Sequence, residues 1–213
     1  QNTYRYLMRE GDYNCLRSYG YGQGMMTQAA LLLDRMYDAT QFLNMLLGHF
    51  YHEHLGQPWA CPEGTVLHRS GKYYVACSGY VGQDSHLADA TKALRIMLGI
   101  DDNNPDRLRL VPRYPADWSH AQIREFQVLT GSQRQTMDYT YDREADRQSF
   151  EYRFDLNPGD FALRLGPIPR GRRVTHASLH DQRLPHRDEH SGDSAWVCLN
   201  VPATTAANPH ARP

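Results

Sequence analysis

The sequence predicts an α+β multidomain protein, with a helical first half followed by an antiparallel β-sandwich. Three observations predict it. Up to about residue 105 apolar side chains recur at three- and four-residue spacing. Beyond that point they alternate with polar ones, the period of a half-buried strand. Gly, Pro, Asn or Asp turns separate the alternating stretches at regular spacing, as in all-β sandwiches. A chain of 213 residues buries a sizeable core as one large domain or two small ones.

The first helix is expected over Gly24 to Asp38, with Met25, Ala29, Leu32, Leu33 and Met36 on one face. Ala39 to Leu55 reads as a second helix, antiparallel to the first across a short break, and carries Phe42, Leu43, Leu46, Leu47 and Phe50. Gly56-Gln57-Pro58 stops it. A third runs from about Ser85 to Gly99 with Leu87, Ala90, Leu94, Met97 and Leu98 inward. Ser85 serves as its cap, Asp89 stands in its early turns and Gly99 forms its exit. The long polar and aromatic segment from Gly56 to Asp84 reads as a functional loop.

After Asn103-Asn104-Pro105 strands are expected at 107–113, 122–131, 135–143, 148–156, 160–166, 172–180 and 195–201. Asn157-Pro158-Gly159-Asp160 is a turn between two of them. Residues 202–213 read as a polar, flexible tail. Three helices are too few to close a domain of their own, whereas the β half reads as whole. Gln1 accordingly suggests a processed chain or a piece of something longer.

Composition removes several functions. Aromatics at 11% and charged residues at 22% argue against wholesale disorder. A formal net charge of −1 gives no ground for a nucleic-acid partner, and no apolar run is long enough for a membrane span. Basic residues are almost all Arg, since Lys72 and Lys92 are the only lysines. Cys15, Cys61, Cys77 and Cys198 show no CxxC pairing; they suit neither a zinc site nor a disulfide scaffold, and read as buried thiols. His49 and His52 share a helical face but lack the HExxH pattern, so no metal is expected. His186 and His190 read as solvated residues of a charged loop. No dinucleotide fingerprint, Walker A, GxSxG or kinase pattern is present, and no cofactor is expected.

Three short segments gather polar and aromatic groups beside the helices. Ser18 to Gly24 alternates glycine with Tyr19, Tyr21 and Gln23; it is either a flexible cap or a rim where these side chains stack on and hydrogen-bond a sugar. Trp59 to Thr65 places Glu63 between Pro62 and Gly64. A backbone so constrained holds a catalytic carboxylate in place, although Glu63 read in isolation is a surface carboxylate. Gly79 to His86 brings Asp84, Ser85 and His86 to the start of the third helix, as caps or as ligand-facing groups.

In this order, the segments YGYGQGMMTQAALLLDRMYDA, WACPEGT and GQDSHLADATKALRIMLGI, the last followed by NPDRLRLVPRYPADW, resemble the C-terminal part of six-hairpin, (α/α)6-barrel glycosidases. The closest likeness is to bacterial α-L-rhamnosidases of glycoside hydrolase family 78, over about residues 18–200. The resemblance implies that residues 1–104 are the C-terminal portion of a catalytic barrel, that 105–201 are a β-sandwich domain and that 202–213 are tail. It implies a hydrolase of polysaccharide degradation acting on α-L-rhamnosides or related sugars by inversion. Glu63 matches the general base, and the general acid stands on an upstream segment. The glutamate lies in Cys61-Pro62-Glu63-Gly64, where the family carries a tryptophan–glutamate pair. His86 matches a histidine lining the sugar pocket, with Trp59, Tyr19, Tyr21, Gln23 and Asp84 as further substrate contacts. The implied partners are a carbohydrate substrate and the remainder of the same enzyme, without which this chain is expected to be inactive. The implied setting is secreted or periplasmic.

Two rivals remain. The β half serves as a carbohydrate-binding or structural module, with the helices only docking it. Alternatively, Tyr21 and His86 form the proton-abstracting pair of a lyase, or the chain belongs to an unsaturated glucuronyl hydrolase of the same barrel class.

Overall fold

The computed structural model describes residues 17–51, 64–67, 73–77, 84–102, 104, 106–168, 171–179 and 182–203. For 17–23, 45–51, 64–67, 73–77 and 84–87 it describes the backbone alone. The protein combines helices with largely antiparallel sheets and divides into two compact units, Gln1–Ile96 and Met97–Pro213. No helix among the described residues is long and apolar enough to cross a membrane.

In the first unit, β1 (Arg17–Tyr19) leads directly into α1 (Gly20–Leu32), followed by α2 (Met36–Tyr51). The first helix starts four residues earlier than its apolar spacing suggests. It ends at Leu32 rather than at Asp38, where Asp34 takes a left-handed φ of 54°. The amides of Leu33 and Arg35 still reach back to Ala29 and Ala30, closing the last turn before α2 begins. The buried face also differs from expectation. Met26, Thr27, Ala30 and Leu31 are inside, whereas Met25 and Leu32 are exposed at 57% and 60%. In α2 the expected Phe42 and Leu43 are buried, together with Ala39.

The segment from Gly56 to Asp84 contains strands that its composition does not announce: β2 (Gly64–Leu67) and β3 (Tyr73–Cys77). They join β1 in a three-stranded antiparallel sheet of order β1-β2-β3. α3 (Asp84–Leu98) follows and buries Asp89, Ala93 and Met97, while Leu94 is exposed. Gly99 ends it with φ +72°, and a Cβ there would overlap the Val111 backbone, so only glycine fits on both counts.

The second unit holds two larger sheets. One is β12-β13-β9-β5-β4, built from β4 (Ile100–Asp101), β5 (Arg109–Leu110), β9 (Phe161–Ile168), β12 (His186–Ser191) and β13 (Ser194–Val201). The other is the meander β6-β7-β8 of β6 (His120–Thr130), β7 (Gln133–Arg143) and β8 (Gln148–Phe154). A short ribbon pairs β10 (Ser178–Leu179) with β11 (Gln182–Arg183). Every pairing is antiparallel except β5 with β9. Aromatic rings meet between the sheets: Phe161 of β9 stands edge-on to Tyr152 of β8 at 5.1 Å and lies 5.8 Å from Phe154.

On β7 strict alternation buries Gln135, Met137, Tyr139 and Tyr141. On β6 the inward parity changes between Ile123 and Val128, because a bulge sits between Ile123 and Phe126. Glu125 takes φ 54° there, and its amide donates to Asp138 Oδ1 at 2.7 Å.

The period-two stretches near 122–131, 135–143, 148–156, 160–166 and 195–201 are strands with end shifts of a few residues. Three expectations fail. The strand expected at 107–113 is limited to Arg109–Leu110, residues 172–177 form no strand, and 186–190, expected as a charged loop, form edge strand β12. Cys198, expected to be buried, is half-buried on β13 and is a free thiol.

Candidate functional site

The residues singled out by sequence fall in the first unit. Tyr19 ends β1, Tyr21 and Gln23 lie in the first turns of α1, and Asp84 and His86 open α3. Glu63 and Trp59 lie outside the described residues, although Glu63 immediately precedes β2 in the chain.

Strand register shows how these segments are placed. Tyr19 pairs with Gly64, and Gly64 pairs in turn with Cys77. Because the three strands run antiparallel, the end of β1, the start of β2 and the end of β3 share one end of the sheet. The chain leaves that end into α1 from β1, enters β2 there from Glu63, and leaves β3 there toward α3. The strand ends Tyr19, Gly64 and Cys77, which border the three polar segments in the chain, thus meet at one end of the sheet. Loops on a scaffold of this kind are where binding and catalytic groups concentrate.

A second contact ties the helices that carry two of the segments. A Cβ on Gly24 of α1 would stand 2.5 Å from the Asp89 Cβ of α3, so these helices cross at a point that admits only hydrogen. Asp89 is 6% exposed. Its side-chain Oδ1 accepts from Gln28 Nε2 at 3.4 Å and from Lys92 Nζ at 3.4 Å, and its backbone carbonyl accepts from Gln28 at 3.2 Å. A buried carboxylate with partners on both helices is a structural fastening. Sequence reasoning placed Asp89 only in the early turns of a helix. The signal for its contact was the glycine alternation at Gly20, Gly22 and Gly24, which is costly inside a helix unless a neighbour comes close.

The second unit carries a separate polar cluster that the sequence reading passed over. Arg164 of β9, Glu189 of β12 and Cys198 of β13 share one sheet face, because Cys198 pairs with both Arg164 and Arg187. Arg164 donates to Glu189 Oε1 at 2.7 Å, Arg187 to Oε2 at 3.1 Å and the Cys198 thiol to Oε2 at 3.3 Å. Burial alone would raise the Glu189 carboxyl. The Cys198 hydrogen bond and the two guanidinium groups outweigh it and hold the group below its ordinary value. Burial and the Glu189 carboxylate push the Cys198 thiol up, so it stays protonated and is a poor nucleophile. The Arg164 guanidinium lies 4.2 Å from the centre of the fully buried Trp196 ring. This cluster fastens three strands and offers no activated group.

Among the described residues no group of three His, Cys, Asp or Glu side chains is close enough to hold a metal ion. No protein-family model and no curated protein sequence matches this chain.

Proposed function

We propose that the chain is the C-terminal part of an inverting glycoside hydrolase. The first unit supplies the last helices of an (α/α)6 barrel, and the second is a β-sandwich attached to it. One observation supports this reading: the pairing of Tyr19 with Gly64 and of Gly64 with Cys77, which brings the strand ends bordering the three polar segments to one end of a small sheet. An active site assembled from several loops at one end of a helical scaffold needs such an arrangement.

In this reading Glu63 is the general base. An inverting hydrolase holds its two carboxyl groups about 6.5–9.5 Å apart so that water fits between the base and the anomeric carbon. Pro62 has a ring-locked φ just before the carboxylate and Gly64 just after it is held by its pairing with Tyr19 and Cys77, which helps keep that spacing. Glu63 takes a proton from water as the oxygen attacks the anomeric carbon. A general acid on another part of the same enzyme protonates the departing oxygen. Tyr19, Tyr21, Gln23, Trp59, Asp84 and His86 are the proposed sugar contacts, and an α-L-rhamnoside or related sugar is the proposed substrate.

The test is Glu63→Gln in the enzyme joined to its remaining barrel helices, assayed on an aryl α-L-rhamnoside. Removing a general base lowers kcat by roughly 10²–10⁴-fold. Proton NMR of the first product formed by the unaltered enzyme should show an inverted anomeric centre. Hydrolysis near the original rate by a folded variant, or a retained anomeric configuration, overturns the assignment.

A further inference from the structure

In the second unit the β12–β13 hairpin and the segment around 171–173 border an open cleft of about 400 Å³. Its walls include Arg172 and Arg173 on one side, Asp188 and His190 of β12 on the other, and Ala195 and Trp196 of β13. An adjoining recess of about 340 Å³ shares Arg172 and His190 and continues over the hairpin turn past Asp193.

The local structure explains the grouping. Alternation along β12 puts Asp188 and His190 on one face, opposite Val197 and Ala195 of β13. Ser191 pairs with Ser194, leaving a two-residue loop in which Gly192 takes φ +63°. Arg172 is anchored by donating to the Ala145 carbonyl in the β7–β8 turn, which fixes one guanidinium at the cleft. Asp193 is engaged by the Ser194 hydroxyl at 2.7 Å. The side chains of Arg173, Asp188 and His190 make no hydrogen bond or ion pair among the described residues.

We propose that this cleft binds a carboxylate-bearing sugar, a uronate residue of an acidic glycan. The volume suits one sugar ring, at the lower end of the range for small-molecule sites. Two guanidinium groups and an imidazole present several donors to one place, and the planar guanidinium is matched to a carboxylate. Asp188 and Asp193 set a limit on the ligand's charge. With two carboxylates beside two guanidinium groups, a polyphosphate or nucleic-acid backbone meets repulsion as well as attraction. A ligand with one negative charge and several hydroxyls satisfies both sets, its hydroxyls donating to Asp188. The site lies wholly in the second unit and needs no hydrolysis, so it stands or falls apart from the role of Glu63.

Isothermal titration calorimetry on the full chain tests it with three probes: methyl β-D-glucuronide, methyl β-D-glucoside and inorganic phosphate. The glucuronide should bind saturably, and the glucoside and phosphate at least about tenfold more weakly, since each lacks half of the recognised chemistry. Arg173→Ala and His190→Ala alter exposed side chains and should each weaken glucuronide binding by about tenfold, with unchanged circular dichroism confirming the fold. Absence of saturable glucuronide binding, equal binding of phosphate or glucoside, or full affinity in both variants overturns the proposal.

Discussion

At Gly24 helix propensity and packing pull in opposite directions. Inside a helix, alanine is favoured over glycine by about 1 kcal/mol. Against that, the methyl group would stand 2.5 Å from the Asp89 Cβ, an atom that cannot move without its helix. Forcing a methyl into a closed contact costs roughly 1–3 kcal/mol, and separating α1 from α3 also strains the Gln28 bonds to Asp89. Packing should win. Gly24→Ala should lower the urea-derived stability of the first unit by about 1–2 kcal/mol. A rise in the urea midpoint instead would mean that α1 and α3 do not meet at this residue.

At the scale of elements, the β6 bulge shows how one side chain sets a register. Asp138 Oδ1 accepts the Glu125 amide at 2.7 Å and its Oδ2 accepts Arg153 at 2.8 Å, so the carboxylate joins the bulge to β8. Asp138→Ala removes both bonds, whose exposed donors turn to water, and should cost about 0.5–1 kcal/mol in urea unfolding. Glu125→Gly relieves a left-handed residue at φ 54°, worth about 1–2 kcal/mol, and adds chain entropy worth about 0.5–1 kcal/mol. Its stability should therefore match or slightly exceed the original. Equal losses from both substitutions would show that the bulge is not held in this way. The strands flanking this bulge were legible because one face of each is buried, and burial writes period two into the sequence. β12 was not legible: His186-Arg187-Asp188-Glu189-His190 is polar on both faces, as an edge strand can be, and pairs on one side only. β1, β2 and β3 are three to five residues long, too short for periodicity to emerge from Gly-rich and aromatic surroundings. The phase of α1 differs from the apolar spacing because Thr27 takes a buried position where an apolar stripe would put leucine. For the candidate site, the segment order and the glycine alternation were readable. The meeting of the strand ends that border them depends on backbone pairing between residues 45 positions apart, which no local pattern encodes.

For the molecule as a whole, tyrosine burial makes the second unit sensitive to alkali. The second unit encloses a network in which the Tyr114 and Tyr139 hydroxyls are hydrogen-bonded and Tyr139 donates to the Leu98 carbonyl at 2.7 Å. The Tyr114 ring stacks on Trp118 at 6.0 Å and meets Tyr141 at 5.2 Å. Burial pushes Tyr114 and Tyr152 from 10.0 up to about 12, and it raises Tyr139 and Tyr141 as well. In the first unit the described side chain Tyr37 is 72% exposed. A tyrosine raised in the folded state favours the neutral form. The stability it confers is whole below the unfolded value and is lost as pH climbs toward the folded one. For the fully buried Tyr114 the loss amounts to about 2–3 kcal/mol, a large fraction of what a domain this size possesses. The β-sheet circular dichroism should therefore be constant up to pH 10 and collapse between pH 10 and about 12, with tyrosinate absorbance rising cooperatively in the same interval. Tyr152→Phe separates burial from packing. Its hydroxyl is buried without a hydrogen-bond partner among the described residues, so removing it deletes a titrating group and sacrifices no bond. The variant should be at least as stable at neutral pH and should unfold at a higher pH. β-sheet circular dichroism that persists unchanged through pH 12 would show instead that the network does not hold the second unit together.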